Sequence, residues 1–488
     1  MLAPEVGAAV VDGRGDAAPG GALARRLAAA GLPAVWAAPG TAAAELWERV
    51  GGRGLRPKQV VVVLAPAGHA SEWSGLLSAR EFRFEVFPLD SIERDALPAV
   101  ARRNAEIAEG GALLVGHAMA LDRELGLARR GLLPLHPAHG ACFFPVAAAA
   151  AGSSTGDGAP DIALPDRLDV LLHKATDWIR FGPPCPLDTG HWGPPAILVQ
   201  ALEAAAARPN LAVVDPLSRV WRLTSRYRTF EALAGLSLAF GGRVRLPRSE
   251  LVHESEEALG SGHRAGVWIG AAGRPAGSLP FPCIVKSNHA CGLPGAHRMG
   301  VARDEAGLLE LLSGPGAEAG KEGVGDIPPP WLVQEYIDHS GGVSKVYCVG
   351  EAHVTICRRD SPGMLPLAGR PPEAAFRFDS CKDFVGRPPG GGGRLPGESS
   401  ELLEPDLGLL KEVATWAGRT LGLRLFGFDV LQEADTGVLV VVDVNFFPSY
   451  TGVPDAAAAL SGVLCAAFAD TQHGQGFSGG NALKTEHE

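Results

Sequence analysis

An α/β architecture in several units is the fold class this sequence predicts, and three observations point to it. Short apolar runs alternate with Ala-, Leu- and Arg-rich stretches through the first 110 residues, the rhythm of a mostly parallel sheet covered by helices. At 488 residues the chain exceeds one ordinary domain, so two to four compact units are expected. Hydrophobic residues make up 46% and charged residues 20%, which leaves ample apolar material for sizeable cores.

The elements follow in order. Candidate strands of the first unit are residues 7–12, 34–38, 59–65 and 84–87. A second α/β stretch runs from a strand at 112–119 through a helix at 122–130 to a strand at 168–173, with 151–160 as an exposed loop. Residues 211–215 read as a strand ending in Asp-Pro, and a strand at 281–286 lies in the mixed segment that follows. The segment from 330 to 470 carries several strands and a helix at 407–421. Residues 386–400, with four consecutive glycines, read as an inserted flexible loop, and the polar tail 471–488 as disordered.

Composition excludes several classes. Eight cysteines occur with no Cys-x-x-Cys pair, which argues against zinc ribbons and thioredoxin-type sites and fits a reducing compartment. A net charge of −10 opposes broad nucleic-acid binding, but a local cationic cluster can still meet a small anion because screening confines each field to roughly 10 Å. The N-terminus lacks a basic n-region and an apolar h-region, and no apolar run approaches the ~20 residues of a membrane span. A cytosolic or nuclear monomer, with no nucleic-acid or membrane partner, is the expectation.

The chemistry concentrates in the second half. Residues 438–445, Val-Leu-Val-Val-Val-Asp-Val-Asn, read as a buried strand. Side chains at i and i+2 share a face, so Asp443 and Asn445 project together, and two hard oxygen donors side by side suit magnesium. A second strand, 424–430, ends on Asp429. The competing reading has Asp443 capping a strand and Asn445 opening a turn. Lys286 closes the strand 281–286, with Ala290-Cys291-Gly292 behind it; a lysine leaving a buried strand can reach phosphates, although a solvated strand-end lysine has the same appearance. His297 and Arg298 follow, able to meet a second anionic group. The segment 331–348 reads as strand, glycine turn, strand, in which Gln334, Glu335, Tyr336 and Ile337 offer backbone groups and an apolar wall to a purine and Lys345 offers a phosphate contact; the alternative is an ordinary hairpin. Residues 315–321 imitate a P-loop, but Pro315 stands at the first glycine position and Glu322 where a magnesium-binding hydroxyl belongs.

Taken together, these segments resemble the inositol 1,3,4-trisphosphate 5/6-kinase / inositol tetrakisphosphate 1-kinase family, an ATP-grasp group, from about residue 112 to 465. The likeness rests on His173-Lys174-Ala175-Thr176-Asp177, Val214-Asp215-Pro216 with Arg226 downstream, Lys286 with Gly292, Ala296-His297-Arg298-Met299, Gln334-Glu335-Tyr336 to His339, Lys345-Val346-Tyr347, Phe426-Gly427-Phe428-Asp429 and Asp443-Val444-Asn445-Phe446-Phe447-Pro448-Ser449-Tyr450. It implies an α+β ATP-grasp core (219–328 and 329–470) after a Rossmann-like domain (111–218) and an added N-terminal α/β domain (1–110) like that of the long, divergent plant form. That form's extension is likened to haloacid dehalogenases; here Val10-Val11-Asp12-Gly13-Arg14 lacks the second aspartate, so no phosphatase activity is expected from it.

The resemblance also implies roles. Lys286, Lys345 and Asp443 would be the catalytic groups. Arg226, Lys286, Gly292, Gln334, Glu335, Tyr336, Ile337, Lys345 and Ser380 would bind ATP or ADP. Asp429, Asp443 and Asn445 would hold magnesium, two ions being expected, and Arg123, Lys174, His297, Lys345, Asn445 and Ser449 would meet the inositol polyphosphate. The implied activity is Mg-ATP-dependent phosphoryl transfer to an inositol hydroxyl. ADP-dependent interconversion of tetrakisphosphates, and weakly catalytic inositol-phosphate binding, stand beside it. The chain departs from the family pattern at Asp122 and Arg123, where a Lys-Lys pair is usual, and at Ser287, Asp360 and Ser449.

Overall fold

The computed structural model describes residues 6–11, 34–36, 60–65, 83–88, 101–102, 105, 111–135, 138–148, 161–162, 164–181, 192–193, 196–254, 266–270, 280–291, 296–313, 327–360, 375–379 and 405–474. The expected loops 151–160 and 386–400, the P-loop-like residues 315–321, residues 475–488, Gly292 and Ser380 lie outside them. The backbone separates into two units: residues 1–178, 183–217 and 449–478 form the first, and residues 179–182, 218–448 and 479–488 the second.

The first unit holds two parallel sheets. Strands β1 (Val6–Val11), β2 (Ala34–Trp36), β3 (Val60–Ala65) and β4 (Arg83–Pro88) pair in the order β2-β1-β3-β4, all parallel, as the alternating apolar runs predict. Strands β5 (Leu113–Ala118), β6 (Ala141–Pro145), β7 (Val170–His173) and β8 (Ala212–Val214) follow in the order β8-β7-β5-β6, also parallel. β5, β6 and β7 are buried along almost their whole length, so they read as continuous apolar runs. Phe144, Leu171, Leu198 and Leu202 anchor the core of this second sheet. The helix Ala456–Gln472 belongs to this unit and extends into residues expected to be disordered tail.

His173, at the end of β7, is fully buried. Its Nε2 lies 2.6 Å from the Asp215 carbonyl at the end of β8, and the Ala175 N–H donates to its Nδ1 at 3.3 Å. That pattern requires the neutral ring with the proton on Nε2. Burial pushes its pKa down to about 4, and Lys174 adds to the fall against the Asp215 hydrogen bond. The unfolded chain therefore takes up the proton first as pH drops. Because the buried ring resists charging, stability is intact above the ordinary value of 6.5 and is lost between 6.5 and about 4, by up to about 3 kcal/mol. A melting midpoint that falls across that window, and falls less in H173Q, is the expected outcome; identical pH profiles would contradict it.

The second unit is built from two sheets. In the first, β9 (Val244–Arg245), β15 (His339–Val349), β16 (His353–Asp360), β18 (Leu425–Glu433) and β19 (Leu439–Phe446) pair in the order β9-β19-β18-β15-β16. In the second, β10 (Ser249–Glu254), β11 (Gly266–Gly270), β12 (Cys283–Ser287), β13 (Arg298–Ala302), β14 (Trp331–Glu335) and β17 (Ala375–Asp379) pair antiparallel in the order β11-β10-β14-β12-β13-β17. The helix Leu407–Leu421 forms where the 3.6-residue spacing of Leu410, Val413, Ala414, Ala417 and Leu421 predicts it, and buries that face. Asp406 caps its start by accepting the Leu409 N–H at 2.9 Å. Gly422 ends it with φ +69°, a conformation that favours glycine.

Two expectations are corrected here. Residues 331–348 do not form a hairpin around a glycine turn. The chain leaves β14 at Glu335, crosses in Tyr336–Asp338, and enters β15 in the other sheet. Gly342 sits inside β15 opposite Asp360, where a Cβ would come within 3.0 Å of Arg358 Nε; the glycine admits a cross-strand arginine and makes no turn. Asp429 likewise does not end a strand: β18 continues to Glu433, with an irregularity in pairing between Asp429 and Val430.

Candidate nucleotide and metal site

A cleft of about 310 Å³ opens between the two sheets of the second unit. Its apolar end has two walls. Ile284, Met299, Tyr336 and Phe378 stand on the side of the β12–β13 sheet, and Ile337, Val343, Leu431 and Val442 on the side of the β18–β19 sheet. Its polar end gathers Arg226, Lys286, His297, Lys345, Asp429, Asp443 and Asn445.

Strand geometry explains this gathering. Asp429 and Asp443 are direct cross-strand partners on β18 and β19, and Lys345 is opposite Asp429 on β15, so three charged side chains from three neighbouring strands emerge on one face. Asn445, two residues beyond Asp443, donates from Nδ2 to Asp443 Oδ2 at 3.1 Å, as period-2 alternation predicts. Lys345 Nζ lies 2.6 Å from Asp429 Oδ2. Gly427 is required beside them, because a Cβ there would sit 2.9 Å from the Val346 carbonyl.

The electrostatics are crowded. Burial pushes the Asp429 carboxyl up; Lys345 opposes that push and neighbouring Asp443 reinforces it. Lys286, buried at the end of β12 with Nζ 3.4 Å from the Val442 carbonyl, is pushed down to about 8. Desolvation is the main cause; Asp443 pulls the value up and Arg226 drives it lower. Arg226 is held tightly: its Nη1 donates to the Ser287 and His289 carbonyls at 2.7 Å each, and its buried Nε, which makes no hydrogen bond, lies 3.6 Å from Asp443 Oδ1. This double bond to the backbone after β12 was not legible in the sequence, because it joins residues more than 60 apart.

Two hard carboxylates and a neutral amide oxygen make a donor set that fits a divalent cation, which would relieve the repulsion between Asp429 and Asp443. No group of three or more His, Cys, Asp or Glu side chains able to hold a metal occurs among the described residues; here the third donor is Asn445.

The remaining expected residues divide by unit. Gln334 and Glu335 line the cleft, but their side chains are committed elsewhere: Gln334 Nε2 donates to Ser249 Oγ at 2.9 Å, and Glu335 is bound by Arg245 and Arg248. The Glu335 and Tyr336 N–H groups donate to the Arg248 and Pro282 carbonyls at 2.9 and 3.1 Å. Arg123, Lys174 and Ser449 belong to the first unit. There Arg123 Nε binds Asp177 at 2.9 Å, Lys174 is buried, and Ser449 Oγ lies 3.0 Å from Thr451 Oγ1, which accepts from Arg130 at 2.7 Å.

Residues 319–465 match the inositol 1,3,4-trisphosphate 5/6-kinase ATP-grasp domain. Inositol-tetrakisphosphate 1-kinase 6 of Oryza sativa subsp. indica is 27% identical over 356 residues, which cover 72% of this chain and 59% of the rice protein. Inositol-tetrakisphosphate 1-kinase 1 of Zea mays is 24% identical over 74% of this chain and 90% of its own length. A RimK domain ATP-grasp protein from Sphaerobacter thermophilus aligns over 72% of this chain and 99% of its own at 14% identity, with a TM-score of 0.35.

Proposed function

We propose that this chain, whose residues 319–465 match the inositol 1,3,4-trisphosphate 5/6-kinase ATP-grasp domain, transfers the γ-phosphate of Mg-ATP to a hydroxyl of an inositol polyphosphate. The observation that carries the reading is the two-ended cleft: an apolar slot between the sheets runs into a polar end where Lys286, Lys345 and Arg226 converge on the facing carboxylates Asp429 and Asp443. A purine fits the slot between Ile284, Met299 and Phe378 on one side and Ile337, Val343 and Leu431 on the other.

Magnesium held by Asp429, Asp443 and Asn445 would neutralise the β- and γ-phosphate oxygens and orient them for in-line transfer. The lysines supply the remaining positive charge. Lys286, with a pKa of about 8, is desolvated in advance, so its ammonium gains more from a phosphate than a hydrated one does. Arg226 pins the backbone after β12 and opposes Asp443. Lys345, ion-paired with Asp429, exchanges part of that pairing for the transferred phosphoryl group. His297 and Asn445 stand at the polar end, where they would meet phosphates of the acceptor. A loose transition state of this kind needs positioning and charge compensation more than covalent help, and no side chain is assigned a covalent intermediate.

The test follows isomer identity when the protein is incubated with Mg-ATP or Mg-ADP and a panel of inositol tris- to pentakisphosphates. Mg-ATP-dependent gain of one phosphate is expected. ADP-dependent interconversion of tetrakisphosphates would identify a phosphotransferase instead, and tight binding without turnover a binding protein.

A further inference from the structure

Outside the catalytic cluster, the second unit contains an ionic group of four side chains that the proposed chemistry does not use. Arg245, at the end of β9, donates from Nη1 to Glu335 Oε1 and from Nη2 to Glu433 Oε1, the latter at 2.9 Å. Glu335 is nearly buried, and its Oε1 also accepts the Arg248 N–H at 2.7 Å while its Oε2 accepts Arg248 Nε at 2.8 Å. Burial works against charge on Glu335, but these hydrogen bonds and the Arg245 charge outweigh it and hold its carboxyl below the usual range. Burial likewise opposes the Arg245 charge, and the two carboxylates overcome it. The Arg245–Glu335 pair is therefore ionised.

Its placement is specific. Glu335 is the last residue of β14, in one sheet; Glu433 is the last residue of β18, in the other. Between them runs the Tyr336–Asp338 crossing, whose far end is held to β18 by the His339–Glu433 pairing and by the Ala434 N–H to Asp338 carbonyl bond of 2.9 Å. Arg245 thus grips the crossing at both ends. Tyr336 and Ile337 within it line the slot, and Glu335's carboxylate takes the Arg248 N–H that strand pairing would offer to a backbone carbonyl.

We propose that Arg245 is a positioning residue for the nucleotide: by tying Glu335 of one sheet to Glu433 of the other, it fixes the separation of the slot's two walls and the orientation of the Tyr336–Ile337 backbone. The inference rests on the nucleotide reading above. Arg245 touches neither phosphate nor acceptor in this role, so its loss weakens nucleotide binding and leaves the chemical step alone. Arginine suits the task because its planar fork reaches two carboxylates at fixed angles, which a lysine ammonium does less well.

The experiment measures the Kd of Mg-ADP by calorimetry, together with steady-state kinetics, for wild type, R245M, R245K and E433Q. For R245M the expected result is a rise of about tenfold in the ADP Kd and in the KM for ATP, with kcat within about twofold and the KM for the inositol polyphosphate unchanged. R245K recovers part of the affinity, and E433Q, which removes one anchor, gives an intermediate loss. If R245M does not fold, R245K and E433Q carry the same readout. A lowered melting temperature with an unchanged ADP Kd in all folded variants would overturn the proposal by making the group purely structural, while leaving the nucleotide reading intact. Wild type that binds no adenine nucleotide would overturn both.

Discussion

Replacing Asp443 with alanine is expected to lower kcat on the order of 10³-fold while the protein still folds. Asp443 is the junction of the polar end: it faces Asp429 across the strand pair, accepts from Asn445 at 3.1 Å, and lies 3.6 Å from Arg226 Nε. Truncation removes one of two carboxylates from the proposed metal site, along with a counter-charge of both Arg226 and Lys286. The main chain of β19 does not depend on it, since its flanking residues Val441, Val444 and Phe446 are buried and hold the strand in place. A cooperative melt with wild-type circular dichroism and turnover that excess magnesium does not restore is the predicted combination. Asp443→Asn should behave similarly, because an amide keeps the shape but not the charge. Undiminished turnover in Asp443→Ala would refute the metal assignment.

Lys286→Met is predicted to do two opposite things. It removes a cation from the phosphate end, so kcat/KM for ATP should fall by roughly 10²-fold or more. It should also stabilise the unliganded protein. The folded value of about 8 against an ordinary 10.5 means the charged lysine is disfavoured by about 3 kcal/mol on folding. Below about 8 both folded and unfolded states carry the charge, and the penalty is complete. Between 8 and 10.5 the folded state has released its proton and the unfolded state has not, so wild-type stability rises with pH; above 10.5 the penalty is gone. The variant should therefore melt roughly 6 °C or more above wild type at pH 7, and the gap should shrink as pH approaches 10. A gap that is constant with pH, or a destabilised variant, would show that Lys286 is not strained by burial. Such a group, costly to the empty protein and useful only with an anion beside it, is the usual signature of a binding site.

What the sequence discloses and what it hides follow from the range of the interactions. The strands of the first unit, the helix Leu407–Leu421 and the shared face of Asp443 and Asn445 are legible because their causes are local: period-2 alternation, 3.6-residue spacing and a cap three residues away. Lys286 and Asp443 of the cleft are legible as well, since each stands near the end of an apolar strand. The crossing at Tyr336–Asp338 reads as a hairpin in the sequence because two strands joined by a short link look alike whether they share a sheet or divide between two. The Arg245 clamp leaves no trace there. Its partners lie 90 and 188 residues away, and an arginine after a short strand carries no local mark of its destination. The same holds for the bonds from Arg226, which lines the cleft, to the Ser287 and His289 carbonyls, since they join residues more than 60 apart.

In the proposed reaction the cleft of the second unit delivers the γ-phosphate of Mg-ATP to an inositol hydroxyl. Following the label from γ-³²P-ATP tests it most directly, with an inositol tris- or tetrakisphosphate as acceptor in one reaction and a carboxylate plus an amine in another. The label is expected to move into an inositol polyphosphate bearing one more phosphate, in wild type and not in Asp443→Ala. Label released only as inorganic phosphate, and only when a carboxylate and an amine are both present, would contradict it and make the protein a ligase.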